Sequence, residues 1–237
     1  MSKHHIVSKD EWLAARQALL AKEKAFTKLR DELSAERRAL PWVKVEKDYV
    51  FEGPRGKVAL KDLFGSHSQL IVQHFMFHPD WQAGCKSCSF WADGFDGIVD
   101  HVEQRDVSFV AVSRAPYAKL AAFKKRMGWR FKWLSSAGSD FNHDFAVSFT
   151  QDDVKREAKS YNFGTMRSSM EELPGISVFF KDADGSVYRT YSCYARGLDM
   201  MNAAYQLLDL LPKGRDEEGL PFSMSWVRLH DEYAKTP

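Results

Sequence analysis

The chain has 237 residues, of which 44% are hydrophobic, 28% charged and 14% aromatic, and its formal net charge is +2. This composition predicts one large globular domain, or one domain with extensions, and argues against disorder. The small net charge, with acidic and basic residues interleaved, gives no reason to expect nucleic acid as a partner. The first residues lack a signal peptide's apolar core and no run of about 18 apolar residues occurs, so we expect a cytoplasmic protein with no membrane partner.

A capping-box pattern at Ser8-Lys9-Asp10-Glu11 begins the first predicted element. Apolar residues then recur at intervals of seven, namely Trp12, Leu19, Phe26 and Leu33. This spacing predicts one long helix over Lys9–Ala39, with a narrow apolar seam. Two interpretations stay open, because the seam suits packing on the helix's own core or on a second subunit of a homo-oligomer.

A β-hairpin is predicted next, with one strand over residues 43–51, a turn at residues 53–56 and a return strand over residues 57–60. Residues 70–77 then form an apolar run rich in β-branched and aromatic side chains, which is typical of a strand buried on both faces. We expect this strand to end near His78.

A short connector leads from that strand to Cys85-Lys86-Ser87-Cys88. Apolar residues follow with the spacing of one helix face: Cys88, Trp91, Phe95, Ile98 and Val102. Residues 106–113 predict a second strand, parallel to the first through a right-handed crossover. The sequence therefore predicts a βαβ unit with a Cys-x-x-Cys pair where its helix begins, and in that context the pair indicates a thioredoxin-like redox motif.

The chemistry of this motif follows from its place in the chain. If Cys85 lies in the first helical turn, free backbone N–H groups and the helix dipole stabilise its thiolate, and the Lys86 ammonium adds to this. Cys88 lies one turn further on the same face, where it can attack a mixed disulfide on Cys85. Cys85 is thus the predicted nucleophile and Cys88 the resolving thiol, and no cofactor is required.

Beyond this unit, a helix is predicted from Pro116 to Met127, closed by Gly128, and a strand over residues 129–134. Residues 135–172 are interpreted as an insertion of mixed structure, with a lid over the site as one interpretation. A hairpin of residues 176–180 and 187–191 and a last helix over residues 198–211 follow. The predicted domains are an N-terminal helical arm (1–39), the main domain (40–211) and a C-terminal tail packed on it (212–237).

This order of elements resembles the thioredoxin-like plan as elaborated in peroxiredoxin-like proteins. The chain is also similar to a bacterial family of unknown function whose members are described as predicted dithiol–disulfide oxidoreductases. The matching stretches lie at residues 40–49, 84–91, 112–116, 127–131, 138–142, 195–199 and 212–216. The resemblance implies an α/β three-layer sandwich, a central mixed sheet flanked by helices, with a long N-terminal helix and a C-terminal extension. Pro174 stands where the fold keeps a cis-proline, whose neighbours help to hold the substrate.

Two departures from these families affect the expected activity. Thioredoxins carry Trp before the first Cys and Gly-Pro between the two, whereas this chain has Gly84 and Lys86-Ser87, with Trp81 as a substitute for the tryptophan. Peroxiredoxins need Thr or Ser three residues before the peroxidatic Cys and Pro four before that, and Gln82 and His78 occupy those places ahead of Cys85. A peroxidase of non-standard site is therefore an alternative to thiol–disulfide exchange.

A metal-binding protein is the alternative from another class, with Cys85 and Cys88 as ligands. Zinc would need two more ligands, and the candidates are histidines far apart in the chain: His74, His78, His143 and His230. The partners expected for the redox hypothesis are a disulfide- or thiol-containing substrate and an electron donor, neither of which the sequence identifies.

Overall fold

The computed structural model describes residues 4–167 and 169–234. By internal contacts the chain divides into two units, Met1–Pro41 and Trp42–Pro237. In the part of the chain that is described, no helix is long and apolar enough to cross a membrane.

The first unit is built on α1, Lys9–Ala39. Its N-terminal N–H groups are satisfied by a reciprocal cap, because Glu11 N–H donates to Ser8 Oγ at 3.3 Å and Ser8 N–H donates to the Glu11 carboxylate at 2.9 Å. Leu40 leaves the helical conformation ahead of Pro41, a residue that cannot continue the hydrogen-bond ladder. The predicted bounds of this helix are confirmed.

The second unit is a mixed α/β structure. Its strands are β1 Val43–Lys44, β2 Val50–Gly53, β3 Gly56–Ala59, β4 Gln69–His74, β5 Val107–Ser113, β6 Lys132–Ser135, β7 Lys159–Ser160, β8 Met166–Arg167, β9 Gly175–Lys181 and β10 Val187–Tyr194. Its α-helices are α2 Lys86–Asp96, α3 Val99–Glu103, α4 Tyr117–Met127, α5 Phe141–Asp144, α6 Gln151–Lys155, α7 Tyr161–Gly164 and α8 Ala203–Leu208. Two 3-10 helices span Leu60–Phe64 and Ala195–Met201.

Eight strands form one sheet in the order β1-β10-β9-β4-β5-β6-β2-β3, and β7 and β8 pair separately. The central strands β4, β5 and β6 are parallel, and β9 and β10 continue from β4 as an antiparallel hairpin. A βαβ unit followed by a hairpin on its other side and a closing helix is the thioredoxin-like arrangement. The predicted fold class is therefore confirmed.

The register of the central strands brings distant segments together. His74, the last residue of β4, pairs with Val112 near the end of β5 and with Gly175 at the start of β9. The segment that follows β4 and the segment that precedes β9 therefore meet at one edge of the sheet, which is where Cys85 and Pro174 enter the fold.

The sheet separates two hydrophobic cores, because neighbouring residues of a strand point to opposite faces. The thiol-side core includes Phe75, Phe77, Cys88, Trp91, Phe95, Phe109, Phe123, Trp129 and Trp133. The closed core includes Tyr49, Phe51, Phe64, Leu70, Val110, Phe141, Phe145 and Phe179. Alternation within β5 is clear, since Phe109 belongs to the first core and Val110 to the second.

Two predictions in the central unit need correction. The strand predicted to reach His78 ends at His74, although Phe75 N–H still donates to Val112 O at 2.9 Å. The single helix predicted to reach Val102 is two helices, α2 and α3, and Ile98 between them is 49% exposed. The break falls at Gly97, a residue whose backbone freedom disfavours a helix interior.

The flanking predictions are also corrected. The strand expected over residues 43–51 is two strands at opposite sides of the sheet, because β1 pairs with β10 and β2 pairs with β3 and β6. The strand expected over residues 129–134 is β6, which begins at Lys132. The last helix, expected over residues 198–211, is interrupted at Asn202, whose Oδ1 accepts from Tyr205 N–H at 3.0 Å and so begins a new helix.

The interpreted insertion at residues 135–172 contains short helices and the β7–β8 pair. Phe141, Phe145 and Phe149 from this segment are buried in the closed core. The insertion is therefore partly structural, and its role as a lid stays a prediction. The domain boundaries after residues 39 and 211 likewise stay predictions.

Candidate functional site: a dithiol where a helix begins

The two cysteines of the motif lie between β4 and α2. Cys85 is the N-cap of α2, one position before the predicted first turn, and its carbonyl accepts from Ser89 N–H at 2.9 Å. Its own N–H donates to Met76 O at 3.0 Å, while Met76 N–H donates to the Cys88 sulfur at 3.4 Å. Cys85 is half-buried and Cys88 is buried, so Cys85 is the more exposed of the two residues.

The two thiols have opposite pKa shifts. A hydrogen bond from the Cys88 thiol, helped by N–H groups of Cys88 and Ser87, outweighs burial and lowers the pKa of Cys85 to about 7. Burial raises the pKa of Cys88 well above its usual range, and the neighbouring Cys85 sulfur adds to this. Near neutral pH a large share of Cys85 is therefore thiolate while Cys88 keeps its proton and donates it in a hydrogen bond.

The residues predicted to support the two thiols differ in their burial and in what they contact. Ser87 and Pro174 line the same cavity as Cys88. Trp81 packs half-buried against the thiol-side core, as does Cys85. Lys86, the first residue of α2, is exposed, and the groups that lower the pKa of Cys85 most are those of Cys88 and Ser87.

Pro174 is held by a residue of the insertion. The Pro174 carbonyl accepts from the Tyr161 hydroxyl at 2.6 Å, and that hydroxyl in turn accepts from Ala195 N–H at 2.9 Å. The described residues contain no cis peptide bond, so the bond before Pro174 is trans, unlike the cis-proline implied by the resemblance. Tyr161 therefore ties the segment before β9 to the segment after β10, beside the dithiol.

The residue before Cys85 has no room for a side chain. A Cβ atom on Gly84 would lie 2.8 Å from Phe75 Cε1 and 3.0 Å from Phe123 Cε1. Contacts this short cannot form without movement of the two rings. The tryptophan that thioredoxins carry at this place is thus sterically excluded here.

Sequence reasoning missed a buried charged group near Cys88. Glu172 is 1% exposed, pairs with Arg114 Nε at 2.6 Å and accepts from Ser148 Oγ at 2.7 Å. Burial raises the pKa of Glu172, and Arg114 opposes this effect. The negative charge of Glu172 also raises the pKa of Cys88. A glutamate two residues before Pro174 was the available signal, but its pairing with Arg114 across 58 positions was not visible in the sequence.

Among the described residues, no third ligand is grouped with the two thiols as the metal hypothesis would require. Across residues 4–167 and 169–234, no three His, Cys, Asp or Glu side chains are grouped so that they could hold a metal ion. The His78 ring faces carboxylates, with Nε2 3.4 Å from Glu171 and Nδ1 3.6 Å from Asp80. His74 pairs with Ser177 Oγ at 2.8 Å, and burial lowers the pKa of its ring to about 3.

The sheet topology, with two neighbouring cysteines where its first crossover helix begins, defines the class: a protein of thioredoxin-like fold. The chain belongs to a family described as "Bacterial protein of unknown function (DUF899)", whose model matches residues 1–233. The family resemblance seen in the sequence is thereby confirmed. No match was found among the curated proteins with which the chain was compared.

The solved structures to which the chain is similar include peroxiredoxins. Peroxidoxin BcpB from Mycobacterium tuberculosis is 16% identical, with 70% of this chain and 96% of that chain covered and a TM-score of 0.46. Thioredoxin peroxidase I from Plasmodium yoelii is 14% identical, with 83% and 97% covered and a TM-score of 0.44. Identities and TM-scores as low as these do not indicate the activity of this chain.

Proposed function

We propose that the protein catalyses thiol–disulfide exchange with Cys85 as nucleophile and Cys88 as resolving thiol. The observation that carries this proposal is the placement of the pair at the start of α2, with Cys85 half-buried and Cys88 buried, and the opposite pKa directions of the two thiols agree with it. A lowered pKa makes Cys85 the thiolate that attacks at neutral pH, and a raised pKa keeps Cys88 protonated until it is needed.

The electrons balance in two steps. The Cys85 thiolate attacks one sulfur of a substrate disulfide, forms a mixed disulfide and releases the other half, which takes up a proton. Cys88 then loses its proton and attacks the Cys85 sulfur, which releases the second half as a thiol. The substrate gains two electrons and two protons, and the protein is left with a Cys85–Cys88 disulfide that an electron donor must reduce.

The supporting residues have proposed roles in these steps. Ser87 stabilises the Cys85 thiolate through its N–H group. The exposed Lys86 adds a positive charge, and its stabilising effect on the thiolate weakens as ionic strength rises. Pro174 lines the cavity beside Cys88, Trp81 lies in the connector before Cys85, and both would contact the partner. We also propose a cytoplasmic location, no nucleic-acid or membrane partner, and a homo-oligomer, which a monomer in light scattering at micromolar concentration would refute.

The test combines a redox titration with an exchange reaction. In glutathione buffers of known potential, the full chain should lose two hydrogen atoms in one reversible two-electron transition, read by mass. The reduced protein should then reduce bis(2-hydroxyethyl) disulfide at least about 100-fold faster than Cys85→Ser. Cys88→Ser should trap a mixed disulfide on Cys85, and Cys193→Ser serves as the matched control that removes a different buried thiol.

Two outcomes would contradict the proposal. Full exchange activity in Cys85→Ser would show that Cys85 is not the nucleophile. Thiols that stay unreactive until a chelator is added would favour the metal alternative. A parallel reaction with hydrogen peroxide addresses the peroxidase alternative, which predicts that peroxide oxidises Cys85 faster than the disulfide does.

A further inference from the structure

A cavity of about 260 Å³ adjoins the buried thiol. It lies between α2, the start of β9, the 3-10 helix Ala195–Met201 and the C-terminal segment. Its lining includes Ser87, Cys88, Pro174 and Gly175, so it lies beside the Cys88 thiol, which is hydrogen-bonded to Cys85. Its volume suits a group about as large as a benzene ring or a short alkyl chain.

The cavity lining is mostly apolar, and its uncharged polar residues include Gln73 and His74, whose Oε1 and Nδ1 atoms have no hydrogen-bond partner among the described residues. Its large side chains are Met76, Trp91, Phe95, Ile176, Leu198 and Met224. The charged residues of the lining, Arg196 and Asp199, pair with each other at 2.9 Å, and Asp199 also binds Arg215 at 2.9 Å. A charged ligand group would lose its hydration here, and the two charged residues of the lining are already paired, whereas an apolar group would gain from burial.

The C-terminal segment closes one side of this cavity. A single carboxylate oxygen, Glu217 Oε1, accepts from Tyr205 OH at 2.6 Å, from Met224 N–H at 2.9 Å and from Trp226 Nε1 at 2.8 Å. The Trp226 ring also packs on Phe90 of α2 with ring centroids 5.6 Å apart. The Met224 backbone is therefore held in place, and the residue closes one side of the cavity. A cavity closed on this side has more room for a small molecule than for an extended protein chain.

We propose that the substrate is a small organic disulfide with one uncharged apolar half, which this cavity holds. The proposal rests on the proposed exchange activity. After Cys85 attacks, the apolar half is the one that stays attached to Cys85, because the cavity binds it. The polar half leaves into solvent as a thiol, and Cys88 then displaces the apolar half as a second thiol.

The experiment compares two disulfides that share a polar half. The reduced full chain is mixed with benzyl 2-hydroxyethyl disulfide or with bis(2-hydroxyethyl) disulfide, and the rate of Cys85–Cys88 oxidation is measured by acid quench and mass. Each rate is divided by the rate with dithiothreitol, which corrects for intrinsic reactivity. We expect the benzyl compound to be at least about tenfold faster, as burial of a phenyl group implies.

Equal corrected rates would overturn the substrate class and leave the exchange activity intact. Failure of both compounds to oxidise the wild-type protein faster than Cys85→Ser would instead overturn the exchange activity. A disulfide peptide with phenylalanine beside its cysteine that reacts faster than the benzyl compound would assign the cavity to a protein substrate and overturn the small-molecule proposal.

Two variants locate the preference in the cavity. Met224→Trp fills the space and Met224→Lys adds a charge to its wall, and we expect either change to reduce the benzyl preference below about threefold. Met170→Trp is the matched control, because Met170 is 45% exposed and lies outside the cavity lining. A full benzyl preference in both Met224 variants would overturn the assignment of this cavity.

Discussion

The two hydrophobic cores of the sheet differ in the side chains that they bury. In the closed core, aromatic rings fill the space: Phe141 is fully buried and lies 4.5 Å from Phe145 and 5.0 Å from Phe51 between ring centroids. In the thiol-side core, packing is tight at Gly84 but leaves a cavity beside Cys88. One face of the sheet thus buries a cluster of aromatic rings, and the other carries the two thiols with a cavity beside Cys88.

The largest effect we expect comes from the closed core. Phe141→Ala should lower the free energy of unfolding by about 3–5 kcal/mol, because it opens a cavity among rings that cannot close over it. The measurement is urea unfolding, with Phe222→Ala as control because Phe222 is 67% exposed. The rate of Cys85 alkylation should not change, and a large change would show that the two cores are not independent.

A medium effect is expected at the tight position of the thiol-side core. Gly84→Ala should lower the free energy of unfolding by about 1–3 kcal/mol, because the added methyl overlaps the rings of Phe75 and Phe123. Gly138→Ala is the control, since nothing lies within 4 Å of a Cβ there. Equal stability of the two variants in urea would refute the tight packing of Gly84.

The smallest effect concerns the thiol pair itself. In the wild-type protein, Cys85 alkylation by iodoacetamide should rise with pH through a midpoint near 7, because only the thiolate reacts. Cys88→Ala removes the hydrogen bond that lowers this pKa most, so the midpoint should move up by about one pH unit, equivalent to ~1.4 kcal/mol. Cys193→Ala should leave it in place, and an unchanged midpoint in Cys88→Ala would assign the low pKa to another cause.

Local signals predicted the central elements well. β5 and α4 end where the sequence indicated, because a run of β-branched residues and the left-handed Gly128 act within a few positions. The dithiol at the strand-to-helix junction was predictable for the same reason. The break at Gly97 and the restart at Asn202 also carried local signals, but helical periodicity on both sides obscured them.

The surroundings of the thiols were less predictable, because they depend on partners distant in sequence. The ion pair of Arg114 with Glu172 and the hydrogen bond from Tyr161 to Pro174 join separate segments. Local sequence patterns do not predict which distant residues will pair in this way. The cavity wall at Met224 has the same origin, since it is fixed by Glu217 rather than by its own conformational preference.

The two edge strands of the eight-stranded sheet have a consequence for assembly. One edge is β1, which has two residues, and the other is β3, which has four. Each carries a lysine, Lys44 or Lys57, and short charged edges offer little unpaired backbone to an incoming strand. We therefore expect the sheet to resist extension by a second chain, so that any association of copies would use side-chain surfaces rather than strand edges.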